Sequence, residues 1–292
     1  MPINARRHIR KMRGGAQAHL IQADDLRFYV VKLRNNPQHR RILINEAIAS
    51  VLLRYLRIAA PEAAVICFSA QYLDENPESS LQVGARRIAA EPGWHFGSRY
   101  PGPPDQIAVY DFIPDALLGQ VVNLREFIGM LAFDKWVGNS DGRQAVFFRS
   151  RASEWLASRT SAHPGFLAWM VDHGFAFNGP YWDFPDSPLH GLYHRPLVYE
   201  AVRSIDDFEP WIDRIARFPI EVLDDAYRQV PLQWLDGEED DVEALLETLM
   251  KRRRRVADLI LDCRRARPAL FPNWTRTAGN RVRAVNQDEE IL

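Results

Sequence analysis

Cysteine and long apolar runs are scarce in this sequence. Cys67 and Cys263 are the only cysteines among the 292 residues, too few for a disulfide framework or a cysteine-ligated zinc site. The longest apolar stretches, 48–56 and 63–70, are far shorter than the roughly 20 residues that span a bilayer. No apolar segment follows the basic residues near position 10, so a secretory signal is not expected. We therefore expect a cytoplasmic protein that does not associate with membranes.

Net charge and lysine are also low. The formal charge at pH 7 is −1, which provides no general attraction to nucleic acid or to anionic lipids. Apolar residues make up 47% and charged residues 26% of the chain, as in an ordinary globular protein. Only four of the 37 basic residues are lysines: Lys11, Lys32, Lys135 and Lys251. In so arginine-rich a chain, a lysine inside an apolar strand calls for a specific reason.

The pattern of apolar residues changes along the chain. β-Branched and aromatic residues predict strands at 18–22, 26–33, 63–70, 106–112, 145–149 and 166–171. Helical spacing predicts helices at 40–57, 123–137, 208–217, 220–229 and 240–265. Between two of the strands, residues 74–104 are predicted to be a long loop that acts as a lid or contacts the substrate.

This division predicts an α+β fold with two lobes and a cleft between them. The β-rich N-lobe is expected at 1–112, the helical C-lobe at 113–274 and a flexible tail at 275–292.

Two aspartates are candidates for the chemistry. Asp141 and Asp172 each lie in a glycine-containing turn beside an apolar strand, where a carboxylate can be held rigidly without competing charges. Carboxylate oxygens bind Mg²⁺, which keeps substrate phosphates among its other ligands. The ordinary alternative is that each aspartate only caps a turn.

Lys32 and Glu46 form a second candidate pair. Lys32 lies within the strand Tyr29–Leu33, and its compact ammonium suits a phosphate in a narrow site. Glu46 follows on the next helix, near the buried face, and could hold Lys32 extended. The alternatives are a solvent-exposed lysine on an edge strand and an exposed helical glutamate.

Taken in chain order, a glycine turn, a strand with lysine, a helix with glutamate and two aspartate turns resemble the motifs of the HipA-like kinases. These kinases have a two-lobed protein-kinase-like fold. Gly14-Gly15-Ala16-Gln17 is similar to the family's phosphate-covering loop, Val30-Val31-Lys32 to its lysine strand and Asn45-Glu46 to its partner helix. Gly138-Asn139-Ser140-Asp141-Gly142 is similar to the catalytic turn and Val171-Asp172-His173-Gly174 to the metal-binding turn. The resemblance covers most of the chain, from residue 13 to about residue 274.

The resemblance implies a role for each of these residues. Lys32 contacts the phosphates of ATP, Glu46 orients Lys32, and Asp141 accepts the proton of the attacking hydroxyl. Asp172 holds Mg²⁺. Further cofactor-binding residues implied by the resemblance are Gly14, Gly15, Ala16 and Gln17 at the phosphates and Tyr110, Asp111 and Phe112 at the adenine.

The catalytic turn departs from the family pattern. The family has histidine two residues after the catalytic aspartate and a metal-binding asparagine five residues after it, whereas this chain has Arg143 and Val146. Valine cannot bind a metal. Gln144 faces the same side of an extended chain as Val146 and is predicted to take over as the second metal ligand; Asn139 is the other candidate.

Three functions follow as hypotheses. The first is an ATP-Mg²⁺-dependent kinase that transfers the γ-phosphoryl group to a hydroxyl of a protein or small molecule. The second, motivated by Val146, is a nucleotide-binding pseudokinase that serves as an interaction module. The third is a nucleic-acid-binding protein that uses the cationic run 251–255. It is disfavoured because acidic residues precede the run, which is typical of a salt-bridged, solvated helix.

Overall fold

The structure, a computed structural model, describes residues 1–155 and 164–275. Apart from Thr275, the predicted tail lies outside the described residues. The chain begins with three strands and a helix: β1 Ile3–Lys11, β2 His19–Ala23, β3 Phe28–Lys32 and α1 Arg41–Leu56. It continues with β4 Ala63–Phe68, α2 Ala70–Glu75, β5 Ser80–Val83, β6 Arg86–Ala89 and β7 Gly93–Arg99.

The second sheet and its helices follow in the middle of the chain. They are β8 Val109–Tyr110, α3 Asp115–Leu118, α4 Glu126–Val137, β9 Gln144–Arg151, α5 Ala152–Trp155 and β10 Pro164–Val171. The remaining α-helices are α6 Trp211–Ala216, α7 Ile220–Arg228, α8 Leu232–Leu235, α9 Glu239–Arg252 and α10 Val256–Ala266. Short 3₁₀ segments occur at Ala176–Asn178, Pro196–Tyr199, Ile205–Phe208, Arg253–Arg255 and Pro268–Leu270. The fold is α+β, and none of the described helices is long and apolar enough to cross a membrane.

Five strands close into a barrel in the order β1-β2-β3-β7-β4. All neighbours are antiparallel except β1 and β4, which are parallel where the barrel closes. Its apolar interior includes Ile21, Tyr29, Val31, Ile66 and Phe68. Because Lys32 is the last residue of β3, the barrel holds this side chain at one of its ends.

A three-stranded antiparallel sheet, in the order β10-β9-β8, carries the second half of the site. Val171, the last residue of β10, pairs with Gln144, the first residue of β9. The turns that contain Asp141 and Asp172 therefore leave the sheet at the same end.

The main core runs from α1 through the C-terminal helices. Twelve of the 16 residues of α1 are buried, Glu46 among them. Residues of α1 share one apolar cluster with residues of α4, α7 and α9. The helix that carries Glu46 is thus packed on several sides, which fixes its position relative to both sheets.

The prediction of a long loop at 74–104 is wrong, because most of this segment is regular structure. It contains α2, β5, β6 and β7, and β7 pairs with β3 on one side and β4 on the other. His95, Ser98 and Arg99 belong to this strand; His95 is fully buried, and its Nδ1 accepts a hydrogen bond from the Arg34 amide. Glycines and prolines near β7 favour a loop in a local reading of the sequence, whereas the strand is stabilised by pairing on both of its edges.

Other elements also differ from the sequence prediction. The basic start of the chain forms β1, which the sequence analysis did not predict as a strand. The strand expected at 106–112 shrinks to the two residues of β8. The helix expected at 240–265 is two helices, α9 and α10, with a 3₁₀ turn between them.

Candidate active site

Lys32 lies between two carboxylates. Its Nζ donates to Glu46 Oε1 at 2.5 Å and to Asp172 Oδ1 at 2.7 Å. The Lys32 and Glu46 side chains are 10% and 2% exposed, whereas that of Asp172 is 30% exposed and so reachable from solvent. Residues separated by up to 140 positions in the chain thus meet at one cation, as the sequence predicted for Lys32 and Glu46.

Lys32 and Asp172 each favour the charged form of the other. Burial alone would lower the pKa of Lys32, but Glu46 and Asp172 outweigh burial and raise it. The Lys32 ammonium lowers the pKa of Asp172. Asp172 is therefore ionised at neutral pH, as a ligand for a hard cation must be.

Glu46 also holds the turn that follows β10. The same Oε1 atom accepts the amide N–H of His173 at 3.0 Å. Asp172 has a left-handed backbone (φ 61°), which aspartate tolerates better than most residues. The carboxylate of α1 thereby fixes both the lysine and the turn.

The Asp141 turn begins where α4 ends. Gly138 closes α4 with φ 59°, a left-handed C-cap that glycine adopts without steric cost. Ser140 then donates its amide N–H to Phe175 O at 3.1 Å, which attaches this turn to the one containing Asp172. The Asp141 side chain is exposed, and its Oδ1 accepts the Gly142 amide at 2.7 Å. A carboxylate so placed can accept a proton from a hydroxyl that approaches from solvent.

A buried ion pair beneath these turns was missed by sequence reasoning. The sequence motifs mark Arg143 only as a departure from the family pattern, but its guanidinium pairs with Asp134 of α4, and both side chains are nearly inaccessible. Asp134 could have been found by the argument used for Lys32, because it is the one carboxylate in the otherwise strongly apolar stretch 127–137.

The metal ligands predicted from sequence are only partly brought together. Gln144 is exposed at the start of β9 and pairs with Val171, the residue before Asp172. Asn139, the alternative ligand, is buried, and its amide already binds Asp134 and the Asp141 backbone. Val146 packs against an apolar cluster with Trp169. In the part of the chain that the structure describes, no three His, Cys, Asp or Glu residues are grouped to hold a metal.

This donor set fits Mg²⁺ bound together with a nucleotide. Mg²⁺ retains waters and substrate phosphates and needs one or two carboxylates from the protein. Asp172 is ionised and partly exposed, and Gln144 lies at the same end of the sheet. A resident metal held by protein ligands alone does not fit.

The glycine turn 14–17 connects β1 and β2. Gln17 Oε1 accepts the amide of Gln82 and its Nε2 donates to Gln82 O, both at 2.7 Å. Asn36 Nδ2 donates to Ala16 O at 3.0 Å. These contacts attach the turn to the β5–β6 hairpin and to the loop after the lysine strand.

Residues 110–112 lie farther along the second sheet. Tyr110 is in β8 and pairs with Phe147, three residues from Gln144 on β9. Phe112 is 66% exposed, and the Arg195 guanidinium lies 4.6 Å from its ring centroid. The chain leaves the barrel at Arg99, so the connection between the sheets is 100–108, ahead of the three residues expected at the adenine.

Two cavities bear on the position of the site. A cavity of about 10 Å³, lined in part by Glu46, Phe96, Asp172 and His173, has room for about one water. A larger groove of about 830 Å³ between α7 and α9 contains none of the predicted site residues. The assignment of the site therefore rests on the clustering of charged groups and not on cavity size.

The chain was compared with curated proteins, solved structures and protein families. No curated protein matches the chain. Among solved structures, a Golgi casein kinase has a TM-score of 0.48 at 12% identity, covering 91% of this chain and 74% of that one. The Golgi casein kinase with Mn/ADP bound has a TM-score of 0.46 at 11% identity, with coverages of 91% and 73%. Hydra Fam20 with sugar has a TM-score of 0.43 at 11% identity, with coverages of 90% and 86%.

These structural similarities are too low to transfer a function. The match to a protein family is much more extensive. Residues 6–258 match the family described as HipA-like kinase. The resemblance seen in the sequence motifs is confirmed, and the chain belongs to the HipA-like kinase family.

Proposed function

We propose that this protein is an ATP-Mg²⁺-dependent kinase that transfers the γ-phosphoryl group to a hydroxyl. The observation that carries the proposal is the position of Lys32 Nζ between Glu46 and Asp172. Kinase catalysis depends mainly on positioning and charge stabilisation, which such a rigid charged group supplies. Family membership supports the reaction class. The acceptor, a protein or a small molecule, and the cytoplasmic location remain predictions.

Each charged residue has one task in this proposal. Lys32 binds phosphate oxygens, and Glu46 keeps its ammonium extended. Asp141 accepts the proton of the acceptor hydroxyl while the hydroxyl oxygen bonds to the γ-phosphorus and the bond from that phosphorus to the ADP oxygen breaks. Asp172, with the Gln144 amide, would hold Mg²⁺, which would neutralise the phosphate charge.

Nucleotide binding is assigned to the cleft between two lobes. We assign the N-lobe to 1–112 and the C-lobe to 113–274. The barrel lies within the first range, and the second sheet joins the two ranges, because its strand β8 belongs to the first. The turn Gly14, Gly15, Ala16, Gln17 would cover the phosphates, and Tyr110, Asp111 and Phe112 would flank the adenine. The contacts of Gln17 with Gln82 support a phosphate-covering turn that is already ordered before nucleotide binds.

The second candidate is a nucleotide-binding pseudokinase. Val146 favours it, because this residue packs on Trp169 and offers no oxygen where the family has a metal-binding asparagine. Such a protein would keep the Lys32 group but would bind nucleotide equally well with and without Mg²⁺.

Thermal unfolding with ATP, with and without Mg²⁺, separates these functions. A nucleotide at about a hundredfold its dissociation constant should add about 2.7 kcal/mol of stability, a shift of several degrees. We expect a Mg²⁺-dependent shift that Asp172→Asn abolishes and that the control Asp258→Asn, an exposed aspartate of α10, retains. A shift indifferent to Mg²⁺ would identify the pseudokinase, and no shift would contradict both proposals.

Asp141→Asn tests the transfer step separately. General-base catalysis contributes roughly 10²–10⁴ in rate, so we expect γ-phosphoryl release to water or to the chain itself to fall by about that factor. Mg²⁺-ATP binding should remain, because Asp141 does not contact the Lys32 group. Unchanged release would remove Asp141 from the mechanism.

A further inference from the structure

Arg143 is held by a two-point ion pair in the interior. Its Nε donates to Asp134 Oδ2 at 2.9 Å and its Nη2 to Asp134 Oδ1 at 2.5 Å. The side chains of Arg143 and Asp134 are 2% and 0% exposed. Two parallel hydrogen bonds fix the plane of the guanidinium and therefore the direction of its remaining N–H groups.

The remaining nitrogen of this guanidinium holds the Asp172 turn. Arg143 Nη1 donates to Val171 O at 2.7 Å and to His173 Nδ1 at 3.2 Å. Guanidinium has no acceptor, so Nδ1 of His173 must be the unprotonated ring nitrogen. Its Nε2 then donates to Met170 O at 3.1 Å. Arg143 thus binds the residues on both sides of Asp172.

Asp134 connects the same ion pair to the Asp141 turn. Asp134 Oδ1 accepts Nδ2 of Asn139 at 3.0 Å, and Asn139 Oδ1 accepts the Asp141 amide at 3.2 Å. The amide of Arg143 itself donates to Leu192 O at 3.0 Å, and Gly191 donates its amide to Asp141 O at 3.0 Å. The network therefore reaches the backbone of both aspartates without touching either carboxylate.

We infer that Arg143 is a positioning residue that sets the Asp141 and Asp172 turns at a fixed separation. A buried ion pair contributes little net stability compared with apolar residues of similar volume, whereas its geometry specifies one arrangement of the groups that it bonds. Lysine cannot replace it, because a single ammonium cannot bond both Asp134 oxygens and the Asp172 turn in one plane. The consequence for metal-dependent nucleotide binding rests on the proposed function; the coupling of the two turns does not.

Hydrogen exchange measured by mass spectrometry tests the coupling directly. We expect Arg143→Met to accelerate amide exchange at least tenfold in both 138–143 and 171–174. The control Arg252→Met removes another buried guanidinium, one that bonds Trp136 O and Lys135 O and neither aspartate turn. If Arg252→Met accelerates the two turns equally, or if only one turn responds to Arg143→Met, the inference is overturned.

The double variant Arg143→Met with Asp134→Leu distinguishes loss of the coupling between the turns from unfolding of the whole protein. Replacing both partners by apolar side chains leaves no unpaired buried charge, so this variant should fold while both turns still exchange rapidly. Arg143→Lys should resemble it and not the wild type. Protection of both turns in the folded double variant would contradict the inference.

Calorimetric titration with ADP, with and without Mg²⁺, connects the network to the site. Outer residues that orient metal ligands affect metal affinity by about 10–100-fold. We expect Arg143→Lys to reduce the Mg²⁺-dependent gain in ADP affinity about tenfold while leaving Mg²⁺-free ADP affinity within about twofold. Equal weakening of both would indicate a purely structural role. A wild type without any Mg²⁺-dependent gain would refute the proposed kinase, and the exchange experiment would still decide the coupling.

Discussion

At the scale of single residues, the site is made by charges placed where the surroundings are apolar. Counted with their backbone atoms, Lys32, Glu46, Asp134 and Arg143 are each at most 8% exposed. Burying such groups is costly unless each is paired and hydrogen-bonded, and here each has a partner of opposite charge. The scarcity of lysine in the sequence singled out Lys32, and the structure supplies the reason for its position.

Lys32→Met should destabilise the protein strongly. It leaves Glu46 as an uncompensated buried carboxylate, which typically costs about 3–5 kcal/mol. Denaturant unfolding at pH 7 measures the change in the free energy of unfolding. Lys32→Met with Glu46→Leu should recover most of the loss, because the fully buried carboxylate is then gone and Asp172, which also loses its partner, is partly exposed to solvent.

The matched control is Lys251→Met. Lys251 pairs with Glu247 at 3.6 Å, with both side chains about three-quarters exposed, and such pairs contribute at most about 1 kcal/mol. If Lys32→Met costs no more than Lys251→Met, an unpaired Glu46 carboxylate at this position does not carry the expected penalty.

At the scale of elements, the cationic run 251–255 shows how context changes a pattern. The sequence predicts a salt-bridged, solvated helix, and Lys251 does pair with Glu247. Arg252, however, is buried and donates to the carbonyl oxygens of Trp136 and Lys135 at the end of α4. Arg253 donates to Phe218 O. These cations are engaged within the protein, which weakens the hypothesis that the run binds nucleic acid.

Gly129→Ala, in the middle of α4, should be destabilising. In an exposed helix interior this change would stabilise by roughly 0.5–1 kcal/mol. A Cβ at position 129, however, would lie 2.2 Å from Cε2 of Trp211 on α6, and such overpacking costs about 1–3 kcal/mol. Thermal unfolding shows whether Gly129→Ala lowers or raises the stability of the protein.

Gly119→Ala is the companion variant. Gly119 follows the last residue of α3 and has helical backbone angles (φ −62°, ψ −16°). Its added Cβ would meet only Asp115 O, at an ordinary 3.6 Å. It should leave stability unchanged or slightly raised. A similar loss in both variants would show that contact with Trp211 is not the cause.

At the scale of the whole molecule, buried histidines link stability to pH. His19, at the start of β2, and His95, in β7, are fully buried in the barrel. Burial lowers the pKa of His19 to about 4 and that of His95 to about 3. Both rings are neutral in the folded state, whereas the unfolded chain binds protons below about pH 6.5. Stability should therefore fall as the pH drops from 6.5 towards 4.

His19→Gln should flatten this acid dependence. A group with a pKa of about 4 when folded and about 6.5 when unfolded contributes about 2 kcal/mol to the loss between pH 7 and pH 5. Urea unfolding at the two pH values measures the difference for each protein. His194→Gln removes an exposed histidine, and its loss of stability between pH 7 and pH 5 should equal that of the wild type. If His19→Gln loses as much stability as the wild type, His19 is not a source of the acid dependence.

Much of the fold and of the candidate site follows from local sequence. The lysine strand, the helix of Glu46 and the two aspartate turns have patterns that depend on near neighbours in the chain, and the structure places Lys32, Glu46 and Asp172 in contact. The family was evident from the same motifs. The prediction of a long loop at 74–104 was wrong because β7 is stabilised by pairing with β3 and β4, which are remote in the chain.

The sequence by itself determined which residue types are available and where the chain turns, because propensity, periodicity and glycine conformations are local properties. Only the tertiary structure decided that Arg143 pairs with Asp134 and joins the two aspartate turns. Only the tertiary structure decided that the Asn139 side chain hydrogen-bonds to Asp134. It also decided that α1 shares an apolar core with the C-terminal helices. Such pairings depend on burial and on distances between remote segments, and these exist only once the chain has packed.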